Sequence, residues 1–109
     1  MKKILFIIGI MVSIASTSPA AEVKANWEKN CLKCHGADGK GQTKMGQKSG
    51  VKDYTDPKVQ AELKDENATK AIKEGVKEKD TDKTRMKAFP DLSEDEIKSL
   101  VAYVRSLKK

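Results

Sequence analysis

An all-α domain is the fold this 109-residue sequence predicts. Three observations carry that expectation. Apolar residues recur at helical spacing near both ends of the chain, turn and capping residues separate those stretches, and no two segments alternate as pairing strands would. There are no internal repeats and no low-complexity tracts.

Residues 1–20 read as an export signal outside that domain. Lys2 and Lys3 give a positive start, and residues 4–15 form an uncharged apolar run too short to span a bilayer comfortably. Ser18-Pro19-Ala20 then supply small residues for cleavage after Ala20. No cysteine sits at the cut, so no lipid anchor is expected. Residues 21–109 are then one domain, a monomer without an integral membrane segment. The chain is 38% hydrophobic and 35% charged, a thin core for so small a domain, which therefore needs a staple. The formal net charge is +6, two units of it from Lys2 and Lys3. Lysines alternate with acids instead of forming a basic run with aromatics, which excludes a nucleic-acid binder.

The first helix is expected over residues 22–34, where Val23, Trp27, Cys31 and Cys34 fall on one face and Gly36 marks the end. Residues 36–50, with five glycines among polar residues, read as a loop. Asp56-Pro57 opens a short helix to residue 63, aspartate suiting the cap and proline the first turn. Ala68, Ala71, Ile72 and Val76 place an apolar strip on a helix over residues 65–76, and the charged residues 77–84 read as an exposed loop. The last helix has the strongest signals. Ser93 and Glu96 form a capping box, Leu92 and Ile97 a hydrophobic staple, and Ile97, Leu100, Val101, Val104 and Leu107 a continuous apolar stripe.

The chemistry lies in Cys31-Leu32-Lys33-Cys34-His35, a C-x-x-C-H run, the pattern of covalent haem attachment. Two thiols on one turn can each add across a haem vinyl group, and the following imidazole can supply an axial nitrogen to iron, its other nitrogen fixed by a backbone acceptor. The rival readings are weaker. Thiol redox chemistry wants a βαβ setting, zinc wants four ligands, and a disulfide over so short a loop restrains little. An attached macrocycle also provides the missing staple, so the haem-free chain is expected to be largely unfolded.

Cys31-Leu-Lys-Cys34-His35-Gly36-Ala-Asp-Gly39-Lys-Gly41 resembles the start of a small bacterial monohaem class I c-type cytochrome, and Met86-Lys-Ala-Phe89 before the capped last helix resembles that family's Met-x-x-Phe segment. The resemblance implies helices wrapped around one covalent haem c, held by Cys31 and Cys34. It also implies an aromatic contact between the first and last helices, for which Trp27 and Tyr103 are the candidates. His35 is the only histidine, so two histidines from one chain cannot both bind the iron. Reach alone leaves Met45 and Met86 open as the second ligand; the resemblance implies Met86, although Lys87 stands where many relatives have proline. The metal ligands are then His35 and Met86. Tyr54 and Arg85 are candidates for the haem propionates, as a hydroxyl donor and a charge-assisted partner.

The expected function is electron carriage, not enzymatic: iron cycling between ferric and ferrous with no substrate bond made. Partners are redox proteins, with acidic docking faces if Lys40, Lys44, Lys48 and Lys87 surround the haem edge. The resemblance implies a periplasmic location. The alternative is a haem enzyme or gas sensor in which the distal position is open and Met86 only packs.

Overall fold

The computed structural model describes residues 9–10, 19–81 and 83–109. Most of the expected export signal, residues 1–8 and 11–18, lies outside the described residues. In chain order the elements are α1 (Pro19–Asn30), α2 (Leu32–His35), α3 (Lys44–Ser49), α4 (Pro57–Glu62), α5 (Asp65–Glu74), β1 (Val76–Lys77), β2 (Thr84–Met86) and α6 (Glu94–Ser106). The fold is helical, as expected, with one small strand pair.

The core forms where α1 and α5 meet α6. Trp27, Ile72, Ile97, Leu100 and Val101 are buried together, and Val23, Cys31, Ala68, Leu92, Val104 and Leu107 pack around them. The apolar stripe of α6 is therefore its packing face, and burying such side chains stabilises by about 1.5–3 kcal/mol each. Trp27 meets Tyr103 at a ring-centroid distance of 5.0 Å and a tilt of 47°. The Ser93–Glu96 capping box is present in both directions. Arg105 on α6 reaches across to α4 and α5, donating to Gln60 O at 2.6 Å and Asp65 Oδ1 at 2.8 Å.

Three expectations need correction. The single helix over residues 22–34 is broken at Cys31, whose φ of −119° leaves the helical range. The next turn is tightened, with Cys34 N donating to Cys31 O at 3.2 Å as well as His35 N at 2.9 Å. Second, the expected loop over residues 36–50 contains α3. Thr43 caps that helix by accepting from Gly46 N at 2.8 Å, and Gly50 closes it in a left-handed conformation. With Met45 exposed and Gly46 mid-helix, no apolar stripe announced it. Third, residues 77–84 are not wholly loop, and a strand pair exists. β1 pairs antiparallel with β2, Val76 opposite Met86, with an irregularity after Val76. Strands of two and three residues are too short to show alternation. Val76, expected on the apolar strip of α5, leaves that helix and is 36% exposed.

Candidate functional site

The C-x-x-C-H turn is held by its own neighbours. Trp27 Nε1 donates to Gly36 O at 2.9 Å, a buried bond that ties α1 to the end of α2. Thr43 Oγ1 donates to Cys34 O at 2.6 Å. α3 packs so closely beneath that a Cβ on Gly46 would collide with Cys34 O and lie 2.7 Å from Gly41 O. These contacts leave Cys31, Cys34 and His35 half-buried, Cys31 and His35 in the wall of a cavity.

That cavity is lined by side chains from both halves of the chain. Trp27, Cys31 and His35 contribute from the first segment, Tyr54 from the linker before α4, and Leu63 with Asn67, Ala68, Ala71 and Ile72 from the end of α4 and from α5. Met86 enters from β2, and Leu100, Val101 and Val104 from α6. The wall is mostly apolar, with the thiol, imidazole and thioether set into it. A second cavity, lined in part by Lys52, Glu62 and Lys64, shares Tyr54, Leu63 and Asn67 with the first. The apolar slot thus has a more polar cavity as its neighbour.

Of the two candidate thioethers, Met86 lines the slot and is packed on the core, whereas Met45 is 40% exposed on α3. Cys34 does not line the slot, although its neighbours Cys31 and His35 do. Tyr54 stands at the junction of the two cavities, 5.4 Å from the His35 ring. Burial raises its pKa, with a further contribution from Cys31, and so keeps the hydroxyl a donor. Arg85 is placed elsewhere: its guanidinium donates to Ser49 and Gly50 carbonyls. Phe89 packs against the core, and Lys87 Nζ lies 5.3 Å from its ring centroid.

His35 has a pKa lowered by burial, which favours the neutral, ligating imidazole. Its Nδ1 is buried without a hydrogen-bond partner, so the backbone acceptor expected for the second ring nitrogen does not appear at that atom. An orphaned buried nitrogen costs free energy unless something else satisfies it. Burial, reinforced by Cys34, pushes the Cys31 thiol up to about 11. That is the wrong direction for a thiol redox pair, whose attacking cysteine is held below its ordinary value. Among the described residues no cluster of three or more His, Cys, Asp or Glu is arranged to hold a metal. An apolar slot with an unpartnered imidazole nitrogen, a thiol and a thioether in its wall, and a second free thiol one turn away, fits a covalently attached haem.

Sequence reasoning missed Asn67, which lines both cavities, and the bracing pair Thr43 and Gly46. Asn67 sits on a helix with no motif around it. The Thr43 cap three residues before Gly46 was the available signal for α3.

Residues 20–108 match the family model for cytochrome c. The chain belongs to the cytochrome c family. It is 32% identical over 90 residues to cytochrome c oxidase subunit 2 of Alkalihalophilus pseudofirmus (strain ATCC BAA-2126 / JCM 17055 / OF4), an alignment covering 74% of this chain and 23% of that one. The chain thus spans about a quarter of that relative. Among solved structures it is similar to the KustC0563 c-type cytochrome, with a TM-score of 0.67 and 32% identity over 79% of this chain and 96% of that one. As a class I c-type cytochrome it carries covalently bound haem c with its iron. No helix among the described residues is long and apolar enough to cross a membrane.

Proposed function

We propose that this cytochrome holds one haem through thioether bonds from Cys31 and Cys34, with His35 and Met86 as the axial ligands. The observation that supports this is the convergence of His35, Cys31 and Met86, from segments far apart in sequence, on one apolar cavity. When bound, the haem supplies a one-electron ferric–ferrous couple. The protein's part is to attach, orient and shield it. Each thiol gives its hydrogen and its sulfur to the two carbons of a vinyl group, so the attachment is redox-neutral. Met86, a soft neutral donor, favours the reduced iron and raises the potential. With His35 and Met86 both holding the iron, no substrate chemistry would be expected at rest, and the role is electron carriage. Trp27, Ile72, Leu100 and Val101 would exclude water from a bound haem, and Tyr54 and Asn67, which line both cavities, with Lys52 and Lys64 of the second would receive its propionates.

Residues 1–20 are the export signal and residues 21–109 the mature, monomeric carrier in the periplasm. The Lys2-Lys3 start, the apolar run after it and a family match that begins at residue 20 support this division. The expected cleavage after Ala20 lies in the first turn of α1. Lys44 and Lys48 are exposed on α3, and Lys87 is exposed beside Phe89. With Lys40 they favour an acidic redox partner, and the rate of association is expected to fall with added salt.

Absorption spectra of the ferric and ferrous protein test the ligand set. Ferric protein is expected to be low-spin with a weak far-red charge-transfer band. Met86→Ala should abolish the band and lower the midpoint by a fraction of the roughly 0.8 V over which axial ligands move haem potentials. A spectrum and midpoint that Met86→Ala leaves unchanged overturn the reading.

A further inference from the structure

The residue before Met86 points away from the slot and does something different. In a strand successive side chains face opposite ways, so with Met86 lining the cavity, Arg85 is turned outward, toward α3. Its Nε and Nη2 donate to Ser49 O at 3.1 and 2.8 Å, and Nη2 also approaches Gly50 O at 3.4 Å. Ser49 and Gly50 are the last residue and the cap of α3, where carbonyls have no helical partner. The planar guanidinium fork suits neighbouring acceptors in a way an ammonium does not. The fit is close: a Cβ on Gly50 would lie 2.6 Å from Arg85 Nη2.

The other end of α3 is fastened to the haem-attachment turn. Thr43 Oγ1 joins Cys34 O to Gly46 N, at 2.6 and 2.8 Å. A continuous series of contacts therefore runs from Cys34 through Thr43 and α3 to Arg85 and its neighbour Met86. It bypasses the haem and spans 36 residues of sequence at its Arg85 step.

We propose that Arg85 is a positioning residue that ties the Met86-bearing strand to the segment carrying Cys34 and His35, and so sets how readily Met86 yields the iron to an outside ligand. This rests on Met86 being the distal ligand. Without the tie, β2 is held mainly by its short pairing with β1, and the thioether competes less well for the metal. The propionate role considered for Arg85 is replaced by this one.

The test is titration of the ferric holoprotein with imidazole, followed in the visible spectrum, for the parent, Arg85→Leu, Arg85→Lys and Arg105→Leu. Arg85→Leu removes the donors and is expected to bind imidazole about tenfold more tightly, with a weaker far-red band. Arg85→Lys, which keeps the charge but not the fork, should fall between it and the parent, and it carries the test if the leucine variant does not accumulate. Arg105→Leu cuts an arginine tie of similar sequence reach that joins α6 to α4 and α5 and makes no bond to β2 or α3. It should lower the melting temperature and leave imidazole affinity alone. Unchanged affinity in both Arg85 variants overturns the proposal while the parent's far-red band leaves the Met86 reading standing. A parent that lacks the band and binds imidazole as Met86→Ala does overturns both. Equal gains in affinity for Arg85→Leu and Arg105→Leu reduce Arg85 to general stability and also overturn it.

Discussion

The segments that carry the two proposed iron ligands are built very differently. Around His35 the chain is locked from several directions: Trp27 Nε1 to Gly36 O, Thr43 Oγ1 to Cys34 O, Gly41 N to His35 O, and Gly46 pressed against the Cys34 carbonyl. Around Met86 the chain has a two-by-three-residue strand pair, one backbone bond from Phe89 N to Ile72 O, and the Arg85 fork. Residues on both sides of Met86 are exposed. The difference teaches where exchange of a ligand belongs. Opening the first segment disrupts the buried core through Trp27, whereas opening the second costs a few surface bonds and the partly buried packing of Met86 and Phe89 at the core's edge. In the proposed arrangement one iron ligand is fixed by the fold, and the other is held by a latch.

The largest effect should come from removing the attachment itself. Cys31→Ala with Cys34→Ala is expected to leave the chain largely unfolded, since five buried apolar side chains among the described residues are a small core for a domain of this size. Loss of most helical circular dichroism checks this, and full helicity would show that the polypeptide alone suffices.

Trp27→Ala comes next and strikes only the locked side. It empties a site that is 2% exposed and leaves Gly36 O only the longer bond from Gly39 N at 3.4 Å, at a cost of about 3–5 kcal/mol. Trp27→Phe divides that loss, keeping most of the packing and giving up the hydrogen bond, for about 1–3 kcal/mol. Chemical denaturation of the holoprotein measures both. If the two segments differ as argued, the far-red band should persist in Trp27→Phe until global unfolding.

Gly75→Ala should do the reverse. Gly75 has φ +79°, and a Cβ there would lie 2.6 Å from Met86 O and 2.9 Å from Ala88 N. With ψ at −179° this is a backbone region essentially confined to glycine, costing another residue about 1–3 kcal/mol, and the collision falls on the Met86 segment. The far-red band is expected to be lost on heating well before helical signal, and simultaneous loss of the two would erase the distinction between latch and lock.

How much of this could be read from residue order follows the same division. The C-x-x-C-H run and the α6 stripe are local patterns with one physical meaning each, and both appear where expected. Trp27 against Tyr103 was available only through resemblance, because an aromatic pair across two helices leaves no periodic trace. α3 and the β1–β2 pair were missed since neither buries an apolar face of its own; α3 is defined by Thr43, Gly46 and Gly50 fitting under Cys34. Arg85 shows the limit most clearly. Charge chemistry suggested a propionate, but its acceptors are two backbone carbonyls, which sequence does not display.

The smallest expected effect lies outside both ligand segments and serves as their reference. Ser93→Ala removes the hydroxyl that accepts from Glu96 N at 3.1 Å and should cost about 1 kcal/mol. Its partner gives the effect a pH signature. Hydrogen bonds from the Ser93 backbone, then from Asn26 and the Ser93 side chain, hold the Glu96 carboxyl below its ordinary value of 4.5. The folded state therefore favours the carboxylate, and that contribution is fully present above the unfolded value and disappears as pH falls through the lower folded one. Glu96→Gln should accordingly be less stable than the parent at neutral pH, with the gap closing in acid. Because Asn26 Nδ2 bonds Glu96 Oε2 at 3.1 Å across α1 and α6, the gap reports the docking of those helices and not the iron. Melting temperatures across that range should converge while the far-red band of both proteins stays equal at every pH where they are folded. A band that weakens in Glu96→Gln would mean that the α1–α6 crossing also bears on the latch, and the separation of the two segments would have to be withdrawn.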